Sequence, residues 1–346
     1  MDGKIIVGID IGSSEICAVA GKSDLSGEIE IIGKVKKSSK GIDRGRVTDL
    51  FGASASLEDV IMDLESIIGT KISDVFLAIS NGTAELIETE ASVMISSIER
   101  KVTRRDIERV YESAKQVTSL KGRNIIEFVN VKFILDGDKE TENPVGMNCD
   151  NLYIKATAVS VDDSIYDGYY KCFLKIGKNI EGIRLSCEAA SQLLIDDIDK
   201  MRGIALVDSG TSKTDISIYT AGRLQNITQI PLGGANISND IKYCFEVGDN
   251  EAEKIKEQLK FDGNDLMNNI TNNYDSKMAE EVVEARINEI ISYINQSLKD
   301  SEDGYDISNV ILYGNGLTHF NNIRDKFSET MGKNIVIVRN EDYKLT

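Results

Sequence analysis

Asp10 ends the run KIIVGID and Asp208 ends the run GIALVD. Each is followed by a short turn of glycine and small polar residues, then by a second alternating run. Gly12, Ser13 and Ser14 make the first turn; Gly210, Thr211, Ser212 and Lys213 make the second. Turns of this composition crowd backbone N–H groups together and let them approach phosphate oxygens without steric cost. A carboxylate beside such a turn repels phosphate, but it can hold a divalent cation or the cation's waters, and the cation then bridges to phosphate. One Asp–Gly turn is ordinarily just a hairpin. Two copies in matching context predict a pair of facing clamps, with a polyphosphate gripped in the cleft between two related halves and Asp10 and Asp208 holding a metal through water.

Three further pieces fit such a cleft. Gly233 and Gly234, in PLGGANISND, permit close backbone approach to a terminal phosphate. Glu253 and Lys256 share one helix face at i, i+3 spacing, where a carboxylate and an ammonium could hold a ribose and a purine edge; taken alone, such a pair is a surface ion pair. Gly314, Asn315 and Gly316 follow the buried run NVILY and offer flat contact to a base; taken alone, they are a helix entry.

The elements that must position these residues repeat. Residues 4–10, 15–22 and 28–36 read as a three-strand meander, followed by an amphipathic helix over 56–68 and a buried strand at 74–80. The first of these strands, almost wholly apolar, is expected to be buried on both faces. Ser56 with Asp59 predicts the helix N-cap. The second unit repeats the plan with GIALVD, TDISIYTAG and RLQNITQIP, then helices, then NVILYGNG at 309–316. Residues 82–160 interrupt the first unit as a small α+β insertion, with strands at 87–98, 125–135 and 151–159 around a helix at 103–117 that Thr103 and Asp106 cap. Residues 236–300 interrupt the second unit and read as helical and polar. The expected division is 1–81 plus 161–200 for the first half and 201–235 plus 301–346 for the second, with the two interruptions as subdomains. The chain has two prolines and no Gly/Ser-rich linker, so the halves should pack closely. The asparagine-rich stretch 264–274 reads as a solvated loop.

Composition narrows the partners. With 40 basic and 57 acidic side chains the net charge is −17, which disfavours a nucleic-acid backbone or a membrane held by basic residues alone. No apolar run approaches the ~18–20 residues a spanning helix needs, and the first residues are too short and strand-like for a signal peptide, so a cytoplasmic place is expected. The five cysteines lack a CxxC spacing and there is one histidine, His319, which argues against a zinc finger or a His-based triad and for thiols in a reducing compartment.

With these pieces in order, the chain resembles the bacterial cell-division FtsA family within the actin, heat-shock-70 and sugar-kinase superfamily. The segments that carry the resemblance are VGIDIGSSEICAVAG, GIDRGRVTD (41–49), NPVGM (143–147), ALVDSGTSKTDISIY, IPLGGANISNDI (230–241), EAEKIK (251–256) and VILYGNG. The resemblance implies an α/β, duplicated ribonuclease-H-like (actin-like ATPase) fold, with two halves around a nucleotide cleft and a small α+β insertion in the first half. It implies ATP and Mg²⁺ between the halves, with the metal held through water by Asp10 and Asp208. It also implies self-association into protofilaments, capture of the FtsZ C-terminal peptide by 236–300, other division proteins at 82–160, and attachment at the inner face of the cell membrane through a C-terminal amphipathic helix.

Some positions depart from the family pattern. Glu15 stands where a phosphate-approaching lysine is usual, and Lys213 stands where a threonine is usual. Lys213 either supplies the missing positive charge or is a solvated side chain. Ser186 falls where hydrolytic relatives carry a Gln or Glu that positions water, with Glu188 two residues on, so slow hydrolysis or none is expected. The final residues VIVRNEDYKLT stop before the family's anchor, which fits either a trimmed chain or a member that reaches the membrane through partners. Alternatives on the same fold are a PilM-type pilus-assembly protein, a small-molecule kinase, for which no further acidic motif stands near the second turn beyond Asp208 and Asp215, and a nucleotide-free scaffold.

Overall fold

The computed structural model describes residues 4–24, 27–96, 98–260, 276–301, 307–320 and 322–339. Along the chain, β1 (Ile5–Ile11), β2 (Glu15–Ser23) and β3 (Ile29–Ser38) form an antiparallel meander. A small hairpin, β4 (Ile42–Asp43) and β5 (Arg46–Val47), leads into helix α1 (Leu50–Ile68) and strand β6 (Asp74–Ile79). Next come β7 (Glu85–Met94), α2 (Arg104–Thr118), β8 (Arg123–Leu135), β9 (Lys139–Thr141) and β10 (Asn151–Asp162). Helix α3 (Asp163–Lys175), β11 (Asn179–Leu185), α4 (Ser186–Leu194) and α5 (Asp197–Arg202) close the first part. The second part contains β12 (Ile204–Ser209), β13 (Thr214–Thr220), β14 (Arg223–Ile230), α6 (Gly234–Phe245), α7 (Asp249–Lys260), a long helix α8 (Ser276–Ser301), β15 (Asn309–Tyr313), α9 (Ile323–Met331) and β16 (Asn334–Ile337).

The sheets show the duplication directly. The first is ordered β11-β6-β1-β2-β3 and the second β14-β13-β12-β15-β16. Read from the meander outward, both run third, second and first strand, then two strands parallel to the first. Parallel neighbours require crossovers, and the helices after each meander supply them. The remaining four-stranded sheet, β7-β10-β8-β9, carries α2 and has its own small core of Val110, Ala114, Leu152, Ile154 and neighbours. Helices α6, α7 and α8 share one core with the second sheet: Ile241, Ile255, Ile287, Ile291 and Ile294 join Val207, Ile216 and Val310. The asparagine-rich stretch 264–274 lies outside the described residues.

Two local expectations change. Helix α1 starts at Leu50, not at Ser56: Asp49 is its N-cap and accepts from the Phe51 N–H at 3.0 Å. The early turns pack through the small residues Ala53 and Ser54, both buried, and small side chains leave little trace in hydrophobic spacing. Strand β1 is buried on one face only. Val7, Ile9 and Ile11 face the core, while Gly8 and Asp10 are open. In β12 the corresponding positions are more enclosed, with Ala205, Leu206 and Val207 all buried. The Thr103–Asp106 cap of α2 is present in both directions, with Thr103 N–H donating to Asp106 at 3.0 Å and Asp106 N–H donating to the Thr103 hydroxyl at 3.3 Å.

One buried carboxylate ties the first half together. Glu65 of α1 accepts from Lys178 at 2.7 Å, from Lys71 at 2.6 Å and from the Ile72 N–H at 2.9 Å. Burial alone would raise its pKa, but the lysines and the amide outweigh it and hold the carboxyl at about 2. A carboxylate held below its unfolded value stabilises the fold above that value and loses the effect as pH falls toward the folded one. Glu65→Gln should therefore cost about 1–3 kcal/mol at pH 7, because three donors lose a charged acceptor. The deficit should shrink as pH falls from about 4.5 toward 2, read as urea unfolding midpoints of both proteins across that range.

Candidate functional site

The two Gly-led turns are built alike. Gly12 N–H donates to the Glu15 carbonyl at 2.9 Å, and Gly210 N–H donates to the Lys213 carbonyl at 2.9 Å. Glu15 and Lys213 are thus equivalent positions in the two halves. Strand pairing then sets the carboxylates: Asp10 lies opposite Cys17 in β2, and Asp208 opposite Asp215 in β13. The turns meet across a cavity of about 260 Å³ lined, of the expected set, by Asp10 and Asp208, by residues 12–14 and 210–213 of the turns, and by Gly314 and Asn315. The Ser13 and Ser212 hydroxyls lie 2.8 Å apart, so the two clamps touch directly.

The hairpin that the sequence offered only as a family-like segment touches both turns where they meet. Arg44 and Gly45, at φ 47° and 75°, make its tight turn. The Arg44 N–H points at the Ser13 and Ser212 hydroxyl oxygens, at 3.1 and 3.3 Å. The buried Tyr169 of α3 fixes the hairpin from behind by donating to the Gly45 carbonyl at 3.0 Å. Ser80, Lys36, Ser186 and Tyr313 also line the cavity. A buried amide, Asn81, crosses between the halves and donates to the Ile216 carbonyl at 3.0 Å and to the Thr228 carbonyl at 3.3 Å.

Charge is crowded here. Asp10, Glu15, Asp208 and Asp215 share the cavity with Lys36 and Lys213. Protein surrounds Asp10 and Asp208, although Asp10 keeps water-accessible surface because it borders an open cleft. Desolvation, with Asp215 beside it, pushes the Asp208 carboxyl up to about 7. Desolvation also raises Asp10, partly offset by the Ser186 hydroxyl, which donates to it at 3.1 Å. Two adjacent carboxylates pushed toward their neutral forms are a donor set that suits a divalent cation, since the ion restores the charged forms. Among the described residues no three His, Cys, Asp or Glu side chains converge as a protein-only metal cage. A cation at Asp10 and Asp208 would therefore complete its shell from water or ligand oxygens.

Lys213 is neither solvated nor directed at the clamp. Its ammonium pairs with Asp215, whose other oxygen accepts from Gln229 at 2.7 Å, and burial of the pair leaves little of it in contact with solvent. Gly233, Gly234 and Gly316 are used by the protein itself. The Gly234 N–H donates to the Gly210 carbonyl at 3.0 Å, and the Gly316 N–H to the Ser209 carbonyl at 2.7 Å. A Cβ on Gly233 would stand 2.6 Å from the Gly210 carbonyl oxygen, and one on Gly316 2.4 Å from the same atom. These glycines let α6 and the Gly314–Gly316 segment press against the second turn. Glu253 and Lys256 lie outside the cavity lining. They form a cluster with Ser238, which donates to Glu253 at 2.6 Å and accepts from Lys256 at 2.8 Å, while Lys256 also reaches the Gly234 carbonyl at 3.4 Å. Glu188 is likewise absent from the lining, whereas Ser186 is part of it.

Paired Gly-led turns, each backed by an Asp, on a duplicated meander sheet define a protein of the actin-like ATPase fold class. The solved structures agree. A chain of the PilM–PilN type IV pilus biogenesis complex matches with TM-score 0.64 at 14% identity, covering 98% of this chain and 92% of that one. MreB5 of Spiroplasma citri bound to ADP matches with TM-score 0.52 at 13% identity, covering 97% and 92%. The family model "Cell division protein FtsA" matches residues 205–344, and "SHS2 domain inserted in FTSA" matches 84–160. Among curated relatives, the cell division protein FtsA of Buchnera aphidicola subsp. Baizongia pistaciae is 28% identical over 86% of this chain and 73% of its own length. That of Bacillus subtilis is 25% identical over 86% and 70%, and that of Escherichia coli K12 is 28% identical over 74% and 60%. The chain belongs to the FtsA family.

Two outcomes check this geometry. A methyl group at position 316 meets backbone oxygen, so Gly316→Ala should cost about 1–3 kcal/mol, read as a lowered thermal midpoint. Asp208 is raised in the folded state, so its ionisation opposes folding as pH rises through the window from 3.8 to about 7. Asp208→Asn should thus gain stability relative to wild type across that window, level off above it, and show no gain at its acid end, measured without added metal.

Proposed function

We propose that this chain is a nucleotide-binding adaptor of bacterial cell division that holds ATP and Mg²⁺ between its halves, self-associates into protofilaments and links FtsZ to the division machinery at the inner face of the membrane. The observation that carries the reading is the pair of equivalently closed turns whose carboxylates border one cleft. Gly12, Ser13, Ser14, Gly210, Thr211 and Ser212 would hold the phosphates. Asp10 and Asp208 would hold Mg²⁺ through water, and the ion would neutralise phosphate charge there. Gly314, Asn315 and Gly316 would meet the base. Glu253 and Lys256, outside the cavity lining and bound to Ser238, would have to turn from that cluster to take the ribose and purine edge, and Gly233 and Gly234 would keep α6 close to the terminal phosphate. The Ser13–Ser212 contact must part to admit phosphate, a small cost because each hydroxyl regains a partner.

Hydrolysis is slow on this reading. Ser186 already gives its proton to Asp10 and has no basic group to orient water. Partner assignments follow family membership: the FtsZ C-terminal peptide at 236–300, other division proteins at 82–160, and a second copy along the filament. Among the described residues no helix is long and apolar enough to cross a membrane, so attachment would be peripheral. The match spans 73% and 70% of the Buchnera and Bacillus relatives and 60% of the Escherichia one, and the whole-protein roles are carried over from family membership. Direct contact of the two turns also suits a second reading, a scaffold that stays closed without nucleotide.

Calorimetry separates the two. Mg-ATP should bind wild type, and Asp10→Ala and Asp208→Ala should weaken it by about tenfold or more. Because Asp208 titrates near 7, Mg-ATP binding at pH 7 should release protons, seen as a dependence of the heat on the buffer's ionisation enthalpy. No heat from wild type would favour the closed scaffold.

A further inference from the structure

Four carboxylates and two ammonium groups line the cleft, and a polyphosphate would add more negative charge to a chain of net charge −17. A cation able to turn toward that charge is needed. Lys213 is poorly placed to do so. It and Asp215 are 14% and 6% exposed, and parting a buried pair leaves Asp215 uncompensated. Lys36 differs. Its ammonium lies 2.5 Å from Glu15, with the two side chains 45% and 42% exposed. Such a pair contributes only about 0–1 kcal/mol and is readily exchanged for a stronger partner.

The strand register puts Lys36 where this exchange can occur. Cys17 of β2 faces Lys36 of β3, and Glu15 faces Ser38, so Lys36 is the diagonal neighbour of the residue that closes the first turn. Ser39 N–H donates to the Ser14 carbonyl at 2.8 Å and fastens the end of β3 to the turn itself. Both Lys36 and Glu15 line the same cavity as Asp10, Ser13 and Ser14. In the second half the residue equivalent to Glu15 is Lys213, so the acid at one clamp is neutralised from the neighbouring strand and the base at the other by Asp215 two residues on.

We propose that Lys36 is the phosphate-facing cation of the cleft and that Glu15 holds it in reserve, giving it up when a polyphosphate enters. The proposal rests on the nucleotide reading above and names the residue that favours triphosphate over monophosphate. The exchange swaps one ion-pair partner for another and involves no covalent step. An acid at a phosphate turn then acts as a holder for the lysine rather than as a barrier to the ligand.

Titration calorimetry of the full chain with ATP and with AMP, both with Mg²⁺, tests this on a double-mutant cycle. Lys36→Ala should weaken ATP by about tenfold or more and leave AMP nearly unchanged, and Lys36→Arg should retain most of the ATP affinity. Glu15→Gln should tighten ATP about two- to fivefold in the wild-type background and have no effect once Lys36 is alanine. Thermal midpoints within about 2 °C of wild type confirm that the variants fold, as expected for an exposed pair. ATP binding indifferent to Lys36→Ala overturns the proposal while leaving the nucleotide reading intact. Equal tightening by Glu15→Gln in both backgrounds also overturns it, since Glu15 would then merely repel phosphate. Failure of the wild-type chain to bind ATP overturns both.

Discussion

Carboxylates packed at the meeting point of two hairpins are the constraint on which this molecule turns. Asp10 and Asp208 are brought to one cleft by strands that start the two meanders, and Asp215 lies across from Asp208 in the next strand. One buried ammonium, on Lys213, is shared among them and is committed to Asp215. Burial first, and then the like charges of Asp215 and Asp10, push the Asp208 carboxyl up to about 7. The protein alone leaves this charge unbalanced. A divalent cation would balance it, and so the same crowding that weakens the closed protein suits the metal-phosphate reading proposed above.

Rigid elements keep the carboxylates in place while the contacts between the clamps remain weak. Each turn is closed by its own Gly N–H, and Gly233, Gly234 and Gly316 allow backbone to press on the second turn so closely that a side chain would not fit. Apolar packing runs between the halves, since Ile204, Leu206, Tyr219, Leu224 and Ile311 belong to the same core as the β1, β2 and α1 side chains. Asn81 adds a buried polar tie between them. At the mouth the link is a pair of hydroxyls and one amide, Ser13, Ser212 and Arg44. Parting these polar groups exposes nothing apolar, so separation of the clamps is far cheaper than separation of the halves.

The inserted subdomain is joined to both halves rather than hanging from one. Glu127 of β8 accepts from the Leu185 N–H at the end of β11 at 2.7 Å, which anchors the subdomain to the first half. Asn130, a non-glycine residue at φ 54°, exchanges hydrogen bonds with the Leu224 backbone of β14 at 2.8 and 2.9 Å. That contact also occupies backbone groups on an edge strand that would otherwise be open to pairing. Thus the inserted subdomain is mechanically connected to the strands that carry the second clamp.

Much of this was legible in residue order. The Asp–Gly turn recurring after matching apolar runs revealed the duplication, because strand alternation and turn chemistry are local properties that survive in the sequence. The Thr103–Asp106 cap and the α+β character of 82–160 were local for the same reason. Other features were decided by tertiary structure alone. The early turns of α1 are buried through Ala53 and Ser54, whose small side chains carry little periodic signal. Lys213 and Asp215, two residues apart, share a strand face, a pairing that local spacing allows, but their burial in the cleft wall is tertiary, and Lys36 reaches the first turn only through the β2–β3 register. Glu253 and Lys256 hold the right spacing on α7 yet turn to Ser238, not to the cavity lining. Spacing along one element is fixed by backbone geometry; which charged group meets which across elements depends on strand register and helix packing within each half, as Lys36 on β3 and Ser238 on α6 show.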